Sequence, residues 1–90
     1  WSAEILILEI SGANPTIDFK IKNAPSAHIP YIEYNGVRYA LNQIGPDLFR
    51  SDAMIIDDNI HEVALVIGSI TRIYKILVNA GAKEDDLFDF

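Results

Sequence analysis

The chain has 90 residues, of which 50% are hydrophobic and 22% are charged. This composition is typical of one soluble globular domain, and it excludes an intrinsically disordered chain and an unbroken apolar membrane span. The formal net charge of -6 disfavours general binding to nucleic-acid phosphates. Because cysteine is absent, disulfides, thiolate metal sites and cysteine nucleophiles are also excluded.

Two segments near the start of the chain are predicted to be strands. Residues 4–10 are mostly apolar without strict alternation, which is typical of a central strand covered on both faces. Residues 16–22 alternate between apolar and polar side chains, which predicts a strand with one solvated face. We expect the buried side of this second strand to consist of Ile17, Phe19 and Ile21.

The dipeptide Asn35-Gly36 predicts a tight hairpin. It is the preferred pair for a two-residue type I′ turn, in which both central residues have positive φ. The register that follows places Glu33 opposite Arg38, as a cross-strand ion pair on the outer face. The opposite face is predicted to be the core side, and it consists of Ile32, Tyr34, Val37, Tyr39 and Leu41.

A long helix is predicted from about residue 58 to residue 79. Asn59 and Glu62 resemble a capping box, and the acidic pair Asp57 and Asp58 would complement the helix dipole. Apolar residues at helical spacing cover an arc wider than one sheet face needs. We therefore expect either a helix nearly surrounded by its own sheet or a helix that meets another chain.

These elements predict an α+β fold, with an antiparallel sheet of about four strands packed against one long C-terminal helix. Residues 1–82 would form this single domain. Residues 83–90, KEDDLFDF, would form a separate acidic and aromatic tail. Since no positively charged leader precedes an apolar segment, we expect no targeting signal within these residues, and the sequence assigns no compartment.

Motifs for catalysis or cofactor binding are weak. The glycines form no phosphate-binding loop, and no serine lies in a nucleophile turn. The acids Asp57 and Asp58 could converge with His61 on a metal ion, but helix capping explains acids at this position more simply. We therefore expect a protein that is not an enzyme and has neither a metal site nor a cofactor.

The leading functional hypothesis is a self-associating structural subunit of a larger particle or filament, such as a virion or an extracellular assembly. Apolar residues at both ends of the chain, together with the wide apolar arc of the predicted helix, favour contacts with other copies. The expected partner is a second copy of the chain or a larger protein assembly. The residues predicted to make these contacts are Trp1, Leu65, Ile76, Leu87, Phe88 and Phe90.

The alternative hypothesis is a small protein that binds single-stranded nucleic acid. Outward-facing bases and an aromatic ring on a sheet can screen phosphates and stack bases. The residues predicted for this role are Lys20, Lys22, Tyr31 and Arg38, with the acidic tail as a docking element.

Overall fold

The computed structural model describes residues 1–6, 9–11 and 14–79, and within these ranges no residue is helical. The described residues form strands β1 (Ser2–Ile5), β2 (Glu9–Ser11), β3 (Asp18–Lys22), β4 (Tyr31–Tyr34), β5 (Val37–Gly45), β6 (Leu48–Ser51), β7 (Glu62–Ile67), β8 (Ile70–Lys75) and β9 (Leu77–Asn79). Seven strands form one sheet in the order β1-β3-β6-β5-β4-β7-β8, in which all neighbours are antiparallel. Strands β2 and β9 form a separate parallel pair.

The long strand β5 joins the two halves of this sheet. Its residues 37–40 pair with β4, and its later residues pair with β6, where a bulge interrupts the register between Gln43 and Gly45. Such a strand lets the sheet curl around one core. The sheet is therefore a nearly closed barrel, and its interior is filled by Ile17, Phe19, Ile21, Ile32, Tyr34, Leu41, Phe49, Met54, Val63, Leu65, Ile67 and Ile76.

The predicted hairpin is confirmed in turn type and in register. Asn35 and Gly36 have φ angles of 53° and 76°, as a type I′ turn requires. Glu33 pairs with Arg38 across the ladder, and their charged groups are 3.8 Å apart. On the core side, Val37 differs from the expectation because its side chain is 49% exposed.

The predicted long helix is wrong, and with it the α+β fold class. Residues 62–75 form the hairpin of β7 and β8, which turns at Gly68 with a φ of 61°. A glycine with positive φ followed by a residue with ordinary φ is the pattern of a type II′ turn. The apolar residues of β7 also satisfy a period of two, with Val63, Leu65 and Ile67 buried, and the β-branched residues of this segment favour strands.

The two N-terminal predictions have different outcomes. Residues 4–10 do not form one central strand, because β1 lies at the edge of the sheet and β2 is a separate strand. The second strand is confirmed as β3, whose inward side chains are fully buried. The predicted tail of residues 83–90 lies outside the described residues.

Candidate functional site

The two edges of the barrel sheet, β1 and β8, run parallel to each other. This follows from parity, since neighbouring strands alternate in direction and the sheet has seven strands. A fully antiparallel closed barrel needs an even number of strands, so β1 and β8 cannot pair in the same pattern as their neighbours. We call the opening between them the β1/β8 gap, and the parallel pair β2–β9 closes it at one end.

Three residues of strand β8 direct their backbone groups into this gap. The amide of Ile76 donates to the carbonyl of His61 at 2.9 Å, which marks these two residues as a hydrogen-bonded pair of the β7–β8 ladder. Because hydrogen-bonded and non-hydrogen-bonded pairs alternate, Thr71, Ile73 and Lys75 direct their N–H and C=O groups away from β7. Among the described residues these groups have no backbone partner.

The β1 side of the gap is covered by side chains from β8. The amide of Leu6 donates to Asp18 at 2.9 Å, so the alternation directs the backbone groups of Ala3 away from β3. Tyr74 donates its hydroxyl to the carbonyl of Ala3 at 3.1 Å, and Arg72 donates to the carbonyl of Trp1 at 3.3 Å. Side chains thus join β1 to β8, and no backbone bond between the described parts of these two strands is present.

The β8 side of the gap carries basic and apolar side chains. Arg72 and Lys75 are exposed bases on β8, which carries no acidic residue, although Lys75 is in register with Glu62 of β7. The guanidinium of Arg72 lies 3.9 Å from the ring centroid of Trp1, a cation–π contact at the rim of the gap. The side chains of Ile73 and Leu77 are 58% and 63% exposed. Together these features suit an acidic partner segment with apolar side chains.

The predicted contact residues fall in three different places. Trp1 is half-buried at the rim of the gap and packs against the core cluster. Leu65 and Ile76 are 0% and 4% exposed in the barrel core. Because the predicted helix surface does not exist, these two residues are not available for contacts with a partner. Leu87, Phe88 and Phe90 lie outside the described residues.

The residues predicted to bind nucleic acid do not form one surface. Arg38 lies 4.9 Å from the ring centroid of Tyr31, on the outer face of the hairpin. Lys20 and Lys22 line a shallow pocket of about 240 Å³ near β1. Lys20 is in register with Leu48 and thereby with Gly45, so Arg38 lies about 23 Å away along β5 at roughly 3.3 Å per residue.

The residues considered for a metal site lie in the connection between β6 and β7, where no helix begins. The carboxylate of Asp57 accepts a hydrogen bond from the amide of Asn59 at 2.8 Å. Within the part of the chain that the structure describes, no group of three potential ligands could hold a metal ion. Asp57, Asp58 and His61 are therefore not brought together as a site.

This connection is anchored to the core by Tyr34. Its hydroxyl lies 2.8 Å from the carbonyl oxygen of Asp57 and 2.9 Å from that of Ile60, and it accepts from the amide of Asp57 at 3.1 Å. Burial raises the pKa of Tyr34 above its ordinary value, and the nearby carboxylate of Asp57 acts in the same direction. These contacts fix the loop, and we assign them a structural role.

The β8 edge was not predicted from the sequence. The available signal was Gly68-Ser69, a two-residue turn pattern of the kind that closes a hairpin, between two segments rich in β-branched residues. Comparison with protein-family models, with curated proteins and with solved structures found no significant match to this chain. The described part of the chain holds no helix with the length and hydrophobicity that crossing a bilayer requires.

Proposed function

We propose that this protein is a non-enzymatic structural subunit that associates with other copies of itself. The observation that carries the proposal is a row of N–H and C=O groups on Thr71, Ile73 and Lys75 at the β1/β8 gap, which have no backbone partner within residues 1–6, 9–11 and 14–79. An open strand edge is a template for pairing with another chain. The function follows from this edge, since one added strand supplies main-chain hydrogen bonds and covers exposed apolar side chains.

The odd number of strands in the sheet supports the same proposal. A strand placed in the gap would run antiparallel to both β1 and β8, and it would raise the number of strands to an even value. The barrel could then close with every neighbour antiparallel, which removes its edges. The sheet that the described residues form is one strand short of this arrangement, and a partner can supply that strand.

Binding of single-stranded nucleic acid has less support. The cations predicted for it occupy two separate places, and carboxylates lie next to them. Glu33 is 3.8 Å from Arg38, and Glu4 is in register with Lys20. These acids lower the positive potential that a phosphate backbone would meet.

Sedimentation equilibrium across a concentration series tests the proposed function. We expect the average mass to rise above the 10.0 kDa of one chain as concentration increases. The variant Ile73→Pro removes an N–H that points into the gap and is not used in the β7 ladder, so it should stay monomeric and folded. Ile73→Val keeps this N–H and serves as the matched control. A native chain that stays at 10.0 kDa throughout would contradict the proposal.

A further inference from the structure

The tail segment of residues 84–90, EDDLFDF, is acidic, whereas β8 is basic, and its seven residues are enough to pair along the six residues of β8. We infer that this segment of one copy inserts into the gap of a second copy as a strand antiparallel to β8. The inference rests on the proposed self-association, and it names the segment that mediates it. For the tail, only the amino-acid sequence supports the inference.

Charge complementarity favours one register. Strand β8 reads ITRIYK and carries two bases without an acid, whereas the tail segment carries four acids without a base. Arg72 and Lys75 are three positions apart, as are Asp86 and Asp89. In an antiparallel pair, Asp86 can therefore lie opposite Lys75 while Asp89 lies opposite Arg72. Arg72 then faces a carboxylate, and Lys75 lies between Asp86 and Glu62, which is its partner in register on β7.

The same register matches apolar to apolar side chains. Phe88 lies opposite Ile73 on the outer face, where the isoleucine side chain is 58% exposed. Leu87 lies opposite Tyr74 on the inner face, next to the core. A slip of one residue would turn every side chain to the other face and place Asp86 opposite Tyr74, in the half-buried interior. Burying an unpaired carboxylate is costly, so the slipped register is disfavoured.

The β1 side of the gap accepts the same strand. Residues 87 and 89 of the inserted segment direct their backbone groups towards β1, at the level of Ala3 and Trp1. The carbonyls of these two residues already point into the gap. On insertion, Arg72 exchanges the neutral carbonyl of Trp1 for a carboxylate, which is a stronger acceptor.

We expect the inserted tail to come from a second copy, because the pairing of β9 with β2 obstructs the tail of the same chain. Strand β9 continues in the direction of β8 and pairs with β2, so this pair stands between Asn79 and the gap. The tail of the same chain would have to cross this pair to enter, and connections seldom cross in this way. The tail of another copy has no such constraint. Since each copy then gives one tail and receives another, the contact is head-to-tail and builds a ring or a filament.

Two full-length variants, mixed together, test the inference. Ile73→Pro blocks the gap and keeps the tail, whereas Asp86→Lys combined with Asp89→Lys alters the tail and keeps the gap. We expect each variant alone to be monomeric and the equimolar mixture to form a dimer of two chains, measured by light scattering after size exclusion. Circular dichroism checks that both variants are folded. A mixture that stays monomeric would overturn the inference and would favour insertion within one chain.

A charge swap tests the register without proline. Lys75→Glu should weaken association about tenfold, a change of roughly 1.4 kcal/mol. Adding Asp86→Lys to the same chain should restore association, because the pair is then reversed in sign. The matched controls Arg38→Glu, on β5, and Asp58→Lys, in the β6–β7 connection, make the same charge changes away from the gap, and both should associate like the native chain.

The outcomes separate the inference from the proposed function. If the native chain associates but the altered tail of the Asp86→Lys and Asp89→Lys variant changes nothing, the tail is not the donor, although self-association stands. If Lys75→Glu weakens association and Asp86→Lys does not restore it, this register is wrong. If the native chain does not associate at any concentration, the proposed function fails first.

Discussion

The hydroxyl of Tyr74 donates a hydrogen bond to the carbonyl of Ala3 at 3.1 Å, across the gap between the two edges of the barrel. The tyrosine ring also packs edge-on against Phe19, with ring centroids 5.4 Å apart. One side chain thus links the last long strand of the sheet to the first strand and to the core. The barrel is held together at this point by side chains, and the β8 edge has no backbone partner in the part of the chain that the structure describes.

Replacing Tyr74 with Phe should loosen this link without disturbing the core. The variant keeps the ring contact with Phe19 and loses only the bond to Ala3, so we expect a loss of about 1 kcal/mol in the free energy of unfolding. Urea denaturation measures this difference. Tyr31→Phe is the matched control, because the Tyr31 hydroxyl has no hydrogen-bond partner among the described residues. Equal stability of the two variants would show that the bond to Ala3 contributes nothing.

Replacing Tyr34 with Phe should lower the free energy of unfolding more than Tyr74→Phe does. The hydroxyl of Tyr34 serves both backbone groups of Asp57 and the carbonyl of Ile60, and its side chain is buried. Removing it leaves the N–H of Asp57 and the C=O of Ile60 without this partner, whereas the C=O of Asp57 still accepts from the amide of Ile60 at 3.0 Å. We expect a cost of about 1–3 kcal/mol. The same urea series measures the loss. A loss smaller than that of Tyr74→Phe would contradict the anchoring role.

The same tyrosine should make stability depend on alkaline pH. Because burial raises the pKa of Tyr34 above its ordinary value of 10.0, the unfolded chain releases this proton at a lower pH than the folded chain. The stabilisation is therefore complete below pH 10 and decreases as pH rises through the folded pKa. We expect the stability advantage of the native chain over Tyr34→Phe to shrink above pH 10. An advantage that grows in this range would contradict the assignment.

The effect of a side chain at Gly68 on thermal stability should depend on His28. A Cβ atom at Gly68 would lie 3.1 Å from Cδ2 of His28, and the φ of 61° is strained for any residue with a side chain. At Gly36 the φ of 76° imposes similar strain, but no atom lies within 4 Å. We therefore expect Gly68→Ala to lower the melting temperature more than Gly36→Ala does. Adding His28→Ala to Gly68→Ala should remove most of the difference in melting temperature between the two glycine variants. If that difference persists, backbone strain rather than contact with His28 accounts for it.

Salt should weaken self-association. Arg72 and Lys75 are exposed, so their attraction to tail carboxylates is screened as the Debye length falls from about 10 Å at 0.1 M to about 3 Å at 1 M salt. We expect the dissociation constant of the native chain to rise across this range, as measured by sedimentation. The double variant Lys75→Glu with Asp86→Lys should show the same trend. A dissociation constant that falls with salt would indicate that apolar burial alone drives association.

Local signals in the sequence predicted the parts of the fold that depend on neighbouring residues. Asn35-Gly36 fixed the type I′ turn and therefore the pairing of Glu33 with Arg38. Strict alternation identified β3. The helix predicted for residues 62–79 was wrong because the apolar residues of this segment fit a helical period as well as a period of two. Its β-branched side chains and the turn at Gly68 favour strands.

The candidate site itself could not be predicted from local patterns. The β1/β8 gap depends on the number of strands and on contacts between Tyr74 and Ala3, which are far apart in the chain. The contact role predicted for Leu65 and Ile76 assumed an exposed helix face, and the barrel buries both residues. The contact role of Trp1 and of the tail residues was predicted from the apolar residues at the two ends of the sequence, and it stays a prediction.

Hydrogen exchange at single amides, measured by NMR at high and low protein concentration, tests most directly whether the β8 edge is an assembly surface. The amides of Thr71, Ile73 and Lys75 point into the gap, whereas those of Arg72 and Tyr74 are paired with β7 and serve as the internal reference. We expect the first three to be protected in concentrated samples and to exchange rapidly on dilution. Rapid exchange of Thr71, Ile73 and Lys75 at every concentration, with the reference amides protected, would contradict pairing at this edge.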